Sequence, residues 1–157
     1  MTFCCFVFLT PTNFFMDTLF EQNPERKREQ TDVSGKEIAL TAIQAAFEKK
    51  ATDIVVMEVR EVSGIADYFI LCCGDAQRQV KAIADGIRGE VRDELGENPW
   101  RSEGYKQQEW ILLDYVDVVV HVMTPEKRAF YGLERLWNDA PKEDVPNETH
   151  TIALLAE

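Results

Sequence analysis

Two aspartates, Asp114 and Asp117, stand three residues apart inside the otherwise apolar run EWILLDYVDVVVHVM, and His121 follows them. Carboxylates gathered in apolar surroundings can serve two-metal phosphoryl transfer, where they converge on ions about 4 Å apart. Acids that do this from one strand are spaced D-x-D, because alternate side chains leave the same face. A spacing of three has the wrong parity for one continuous strand. With Tyr115 and Val116 as turn residues, the two acids flank a hairpin instead. Nothing else in the segment supplies a third ligand. The nearest strand-to-helix turn reads Cys73-Gly74-Asp75, where a nucleotidyltransferase would carry Gly-Ser ahead of its acids. The residues therefore predict no catalytic centre, no metal site and no cofactor.

The remaining reactive side chains are equally unpaired in sequence. Four cysteines form two adjacent pairs, Cys4–Cys5 and Cys72–Cys73, without C-x-x-C spacing, so reduced thiols are expected. His121 has no orienting third group for nucleophilic catalysis. Gly74-Asp75 opens a helix, but one glycine and an acid at the mouth suit an N-cap better than a phosphate cradle.

The elements that position these residues follow from periodicity. The chain has 157 residues and a net charge of −11, which fits one domain and opposes direct grip on nucleic acid. A basic protein partner suits that charge better. Ser34 and Glu37 form a capping box ahead of a helix to about Lys50. Asp53–Glu61 reads as a buried strand and VSGIA as a loop. Asp67–Cys73 is a second strand, and Asp75 N-caps a long helix with Val80, Ile83, Ile87, Val91 and Leu95 as its stripe. Pro99–Tyr105 is a weak strand; WILLDY and DVVVHVM are strong ones. Thr124-Pro125-Glu126 starts a last helix whose expected buried stripe is Phe130, Leu133, Leu136 and Trp137. The order α-β-β-α-β-β-β-α predicts a single α/β domain with about five mixed strands and helices mainly on one face.

Its expected extent is 34–141, after a disordered leader over 1–33 and before a tail over 142–157 that includes a short docking segment, Thr151–Leu155. Residues 1–15 read as an over-extended start, with synthesis from Met16; an unusual targeting peptide is the competing view. No stretch is long enough to span a bilayer, and a cytoplasmic protein is expected.

Strand alternation places Trp110, Leu112 and Asp114 on one face, with Val119, His121 and Met123 facing the same way. If helices cover only the other side, this face shows an apolar patch rimmed by Asp114, Asp117 and His121. Such a patch suits protein docking. Trp110→Ala would then keep the fold and lose the partner. A second layer, or a homodimer, is the other way to cover it.

ATDIVVMEVREVSGIADYFILCCGDAQRQVKAIADGI and WILLDYVDVVVHVMTPEKRAFYGLERLW together resemble the ribosomal silencing factor family, also called Iojap-like. The likeness runs from about Ser34 to Pro141. It is carried by IADYF, by G-x-x-x-R-Q-V (Gly74, Arg78, Gln79, Val80), by the W-x-L-L-D-Y hairpin and by F-Y-x-L-E-R-L-W. The resemblance implies a nucleotidyltransferase-like fold without the catalytic acids. It implies a non-enzymatic repressor that binds a large-subunit ribosomal protein at the intersubunit face and blocks small-subunit joining when nutrients are scarce. A role in late large-subunit assembly is also implied. The expected partner contacts are Trp110, Leu112, Asp114, Tyr115, Asp117, Val119, His121 and Met123, with Tyr131 on the last helix. A residual nucleotidyltransferase and a homo-oligomerisation module are the competing readings. Three features depart from the family pattern: Val116 stands where glycine is usual, Gly132 where an acid is common, and Cys72–Cys73 where smaller or aliphatic residues are found.

Overall fold

The computed structural model describes residues 31–156, so the expectations for the first thirty residues, Cys4–Cys5 among them, lie outside the described residues. Helix α1, Gly35–Glu48, starts at the predicted capping box: Ser34 Oγ accepts from the Glu37 N–H, and the Glu37 carboxylate accepts from the Ser34 N–H. Its alanine-rich stripe, Ala39, Ala42 and Ala46 beside Ile38 and Ile43, lets it lie close to its neighbours. Strand β1 is Thr52–Glu58, followed by a short helix α2, Arg60–Ser63, where a loop was expected. Strand β2 is Tyr68–Cys73 and helix α3 is Gln77–Leu95, with Val80, Ile83, Ile87 and Val91 buried as predicted.

Asp75 is not the N-cap of α3. Ala76 holds that position without a side-chain bond, and the Asp75 N–H donates to Gln79 Oε1 instead. Gln79 Nε2 in turn donates to the carbonyls of Lys49 and Lys50, tying the end of α1 to the β2–α3 turn. At Gly74 a Cβ would lie 2.9 Å from the Val80 nitrogen, so only glycine allows this close turn.

Strands β3 (Arg101–Glu103), β4 (Trp110–Asp114) and β5 (Val118–Met123) follow, then helices α4 (Pro125–Tyr131) and α5 (Leu133–Leu136) and a strand β6 (Lys142–Asp144). The sheet has six strands in the order β3-β4-β5-β2-β1-β6, one more than expected. Only β2 and β5 run parallel; the other pairings are antiparallel.

The extra strand comes from the segment expected to be a tail. Val145 N–H bonds to Ile54 O at 2.8 Å, and Val145, Ile152 and Leu155 are buried in the helix-side core. Glu143 fastens the return: one carboxylate oxygen accepts from the Leu154 N–H at 3.0 Å and the other meets His150 at 2.8 Å. The largely polar run 142–155 hides three apolar residues, Val145, Ile152 and Leu155, that each find a core site. Domain and tail are thus one unit in the described chain, and the short docking segment is a turn of 3-10 helix, Ala153–Leu155.

The two long helices share one face, as expected, and short helical segments cover the other. α1 and α3 cover the face that carries Val56, Ile70, Ile111, Val120 and Val122. The opposite face is covered by Tyr131, Leu133, Trp137 and Ala140, from α4, α5 and the chain that follows. The cause is Gly132, which takes φ +55 and ends α4 after two turns. That is the C-terminal glycine stop expected of a left-handed residue after a helix. The break replaces the single expected stripe. Leu133 is fully buried, whereas Phe130 is 68% exposed and Leu136 41% exposed.

Candidate functional site

Alternation along the β4–β5 hairpin holds as read from the sequence. Trp110 pairs with Met123, Leu112 with His121 and Asp114 with Val119, so these six side chains share one face. Their exposure does not hold. Trp110 is 8% exposed, and Leu112, Asp114, Tyr115, Val119, His121 and Met123 are buried too. The second layer accounts for most of them: Tyr131 meets Trp110 at 4.7 Å between ring centres, and Trp137 meets Phe69 at 5.9 Å. Tyr115 leaves the other side of the sheet and lies in the core under α1 and α3. Of the nine predicted contact residues, Asp117 and Tyr131 remain half-exposed.

An aromatic row crosses the covered face. Tyr131 stands on Trp110, Trp110 lies 5.8 Å from His121, and His121 meets Phe69 edge-on at 5.1 Å. Trp110 Nε1–H donates to His121 Nδ1 at 3.2 Å. An indole N–H can only donate, so Nδ1 is the acceptor and Nε2 carries the imidazole proton. Burial pushes the His121 pKa down to about 3, which holds the ring neutral at physiological pH. It is a packed aromatic with one polar bond, with no route to act as a base on an outside substrate.

Asp114 serves the turn through its carboxylate and Asp117 through its backbone. Asp114 Oδ1 accepts from the Val116 N–H at 2.8 Å, which caps the hairpin turn. The Asp117 carbonyl accepts from the N–H groups of Asp67 and Tyr68 at 2.8 and 3.0 Å, which fastens the turn to the start of β2. Among the described residues no group of three or more His, Cys, Asp or Glu side chains could hold a metal ion. Cys72 and Cys73 are free and buried; burial pushes the Cys72 thiol up to about 12 and raises Cys73 as well. Neither is a thiolate nucleophile at neutral pH.

Val116 is the strained point of the turn. Its φ is +74, while neither Tyr115 nor Asp117 has positive φ, so the turn is not type I′. The Asp117 N–H closes onto Tyr115 O at 2.9 Å around it. A β-branched residue resists this conformation, which costs an ordinary side chain about 1–2 kcal/mol. Part of that gain is offset by the greater chain entropy of glycine when unfolded. Val116→Gly is therefore expected to stabilise the domain by about 1 kcal/mol, raising the melting temperature by about 4 °C. A thermal melt that is unchanged or lower would contradict the strain.

Sequence reading missed one polar centre. Arg128, on α4, donates through Nε and Nη2 to both carboxylate oxygens of Glu134 at 3.2 and 2.7 Å, and through Nη1 to the Asp53 carbonyl and, at 3.4 Å, to Cys73 Sγ. Asp53 itself has φ +50, at the irregular start of the β1 ladder. The centre walls a cavity of about 690 Å³ that is also lined by Phe47, Asp144, Val145 and Pro146. Since Arg128 already spends its donors within the fold, it is poorly placed to receive a phosphate. The F-Y-x-L-E-R-L-W motif contains Glu134, but nothing in the spacing pairs it with Arg128 across the Gly132 break.

Comparison with known proteins bears on this arrangement directly. Residues 31–154 match the family described as "Ribosomal silencing factor during starvation". A ribosomal silencing factor of Halalkalibacterium halodurans is 43% identical over 72% of this chain and 96% of its own length, and that of Bacillus subtilis is 41% identical over 70% and 92%. The chloroplastic protein Iojap of Zea mays is 36% identical over 71% of this chain, but only 48% of its own length takes part. A crystal structure of a Chromobacterium violaceum protein superposes with a TM-score of 0.65 at 34% identity, covering 77% of this chain and 97% of the other. A second, from Bacillus halodurans, gives 0.61 at 38% identity over 71% and 100%. With the match running from the residues before α1 to the C-terminal 3-10 turn, the chain belongs to the ribosomal silencing factor family.

Proposed function

We propose that this chain represses translation under nutrient limitation by binding the large ribosomal subunit and sterically preventing the small subunit from joining. The observation that carries the reading is the family match over 31–154, across nearly all of the folded domain. Relatives named as silencing factors align over almost their whole length, which supports the reading for the domain as a unit.

The physical chemistry fits. A net charge of −11 favours a basic large-subunit protein at the intersubunit face and disfavours the rRNA around it. The reading is non-enzymatic: the Asp114 carboxylate is bound into the hairpin turn, and no third metal-ligating side chain joins the two acids among the described residues. Asp117 and Tyr131 are placed to touch the partner directly. Trp110, Leu112, Asp114, Val119, His121 and Met123 act from beneath, as the rigid platform that fixes the shape of that surface, while Tyr115 packs in the core on the other side of the sheet. The proposed place of action is the cytoplasm.

The test is co-sedimentation of the full chain with isolated large subunits, followed by a joining assay with small subunits. Binding together with a dose-dependent loss of joined ribosomes is expected. A chain that stays in the supernatant, or binds and leaves joining untouched, would sink the proposal.

A further inference from the structure

The most exposed large apolar side chain among the described residues is Phe130, at 68%. It sits on the outer face of α4 with Glu126 and Ala129, all three exposed. Residues four apart on a helix are neighbours one turn apart, so Phe130 rises beside a small residue with an acid one turn away. The two cations of the same helix are engaged elsewhere: Lys127 pairs with Glu109 at 3.3 Å and Arg128 with Glu134 at 2.7 Å. The face α4 presents is therefore an aromatic knob with a negative charge beside it.

The knob has a rigid base. Phe130 packs edge-on against Tyr131 at 5.0 Å, and Tyr131 rests on Trp110 at 4.7 Å. An aromatic held this way loses little freedom on docking, which is what marks anchor residues at interfaces.

We infer that the Phe130–Glu126 face of α4 is the anchor on the basic large-subunit protein, with Phe130 entering an apolar socket and Glu126 meeting a Lys or Arg at its rim. This rests on the function proposed above and names the surface that carries it. Charge decides the occupant. RNA phosphate would meet Glu126 with like charge, and a second copy pairing Phe130 with Phe130 around a two-fold axis would bring the two Glu126 side chains together. A basic protein surface has neither cost.

The experiment titrates the full chain against isolated large subunits by co-sedimentation. Phe130→Ala is expected to weaken binding by about 30-fold, as for a buried aromatic anchor, while melting like the wild type because the side chain is exposed. Phe130→Leu should recover most of the affinity. Glu126→Lys should weaken binding further at low salt than at high salt. A Phe130→Ala chain that binds within about two-fold of wild type overturns the anchor while leaving the function standing. Loss of self-association in Phe130→Ala, with subunit binding intact, overturns it in favour of a second copy. Failure of the wild-type chain to bind large subunits overturns both.

Discussion

Replacing Trp110 with alanine is expected to cost about 4 kcal/mol of folding stability, in the upper range for removal of a large buried side chain. Three losses combine at this position. The indole is 8% exposed and fills the space between β4 and Tyr131. Its N–H is the donor to His121 Nδ1, and the alanine variant leaves that buried nitrogen unpaired, with a desolvation cost of about 1–3 kcal/mol. Tyr131 and Phe130 above it lose their support. Since small domains carry only about 5–15 kcal/mol in total, the variant should unfold at a much lower denaturant concentration and bind large subunits weakly through a lowered folded fraction. Circular dichroism against urea checks the first part. A wild-type midpoint would show that the second layer contributes little. Trp110→Phe, which keeps the ring contacts and loses the N–H, should recover more than half of the stability.

An exposed-patch reading of the same residue expects a folded protein that has lost its partner. The difference between the two expectations shows how far the sequence reaches. Which side chains share a face was legible in the alternation of EWILLDYVDVVVHVM, because the period of a strand is fixed by backbone geometry, and the pairing of Trp110 with Met123 and Leu112 with His121 follows it. What covers that face was not legible, because it depends on one backbone angle far along the chain. Gly132 was readable only as a missing acid. Its φ of +55 ends α4, turns Leu133 inward and leaves Phe130 in solvent. The capping box at Ser34, the α3 stripe and the hairpin position of Asp114 and Asp117 are local, and all were predicted. β6 was missed because three polar residues at a sheet edge have no periodicity of their own; their place is set by flanking bonds to β1, from the Glu58 N–H to the Pro141 carbonyl and from the Val145 N–H to the Ile54 carbonyl. The buried residues of the site are thus a platform, and the surface above them depends on the turn at Gly132.

Arg128→Ala should cost about 3 kcal/mol, and its effect should depend on pH in a defined direction. The Arg128 side chain is 11% exposed and joins three elements: Glu134 on α5, the carbonyl of Asp53 at the start of β1, and Cys73 at the end of β2. Removing it leaves Glu134, whose side chain is 33% exposed, without its fork of donors, and leaves the Asp53 carbonyl short of a partner at a residue already in a left-handed conformation. The hydrogen bonds from Arg128 hold the Glu134 carboxyl below the usual range. A carboxyl whose folded pKa is depressed adds stability that is full above its unfolded value, about 4.3 for glutamate. That stability is lost as the pH falls through the folded value. Partial exposure screens the pair and keeps this pH-dependent part to a fraction of the total. In the wild type, then, some stability should disappear on acidification from about pH 5 downward. Arg128→Ala should be less stable at pH 7 and should lose less between pH 7 and pH 3, because Glu134 then titrates nearer its unfolded value. Urea midpoints of both proteins across that range provide the measurement. Parallel curves would show that the pair is not what ties α4 and α5 to the sheet. Converging curves would identify Arg128 as the clasp that keeps the second layer, and Phe130 on it, in place.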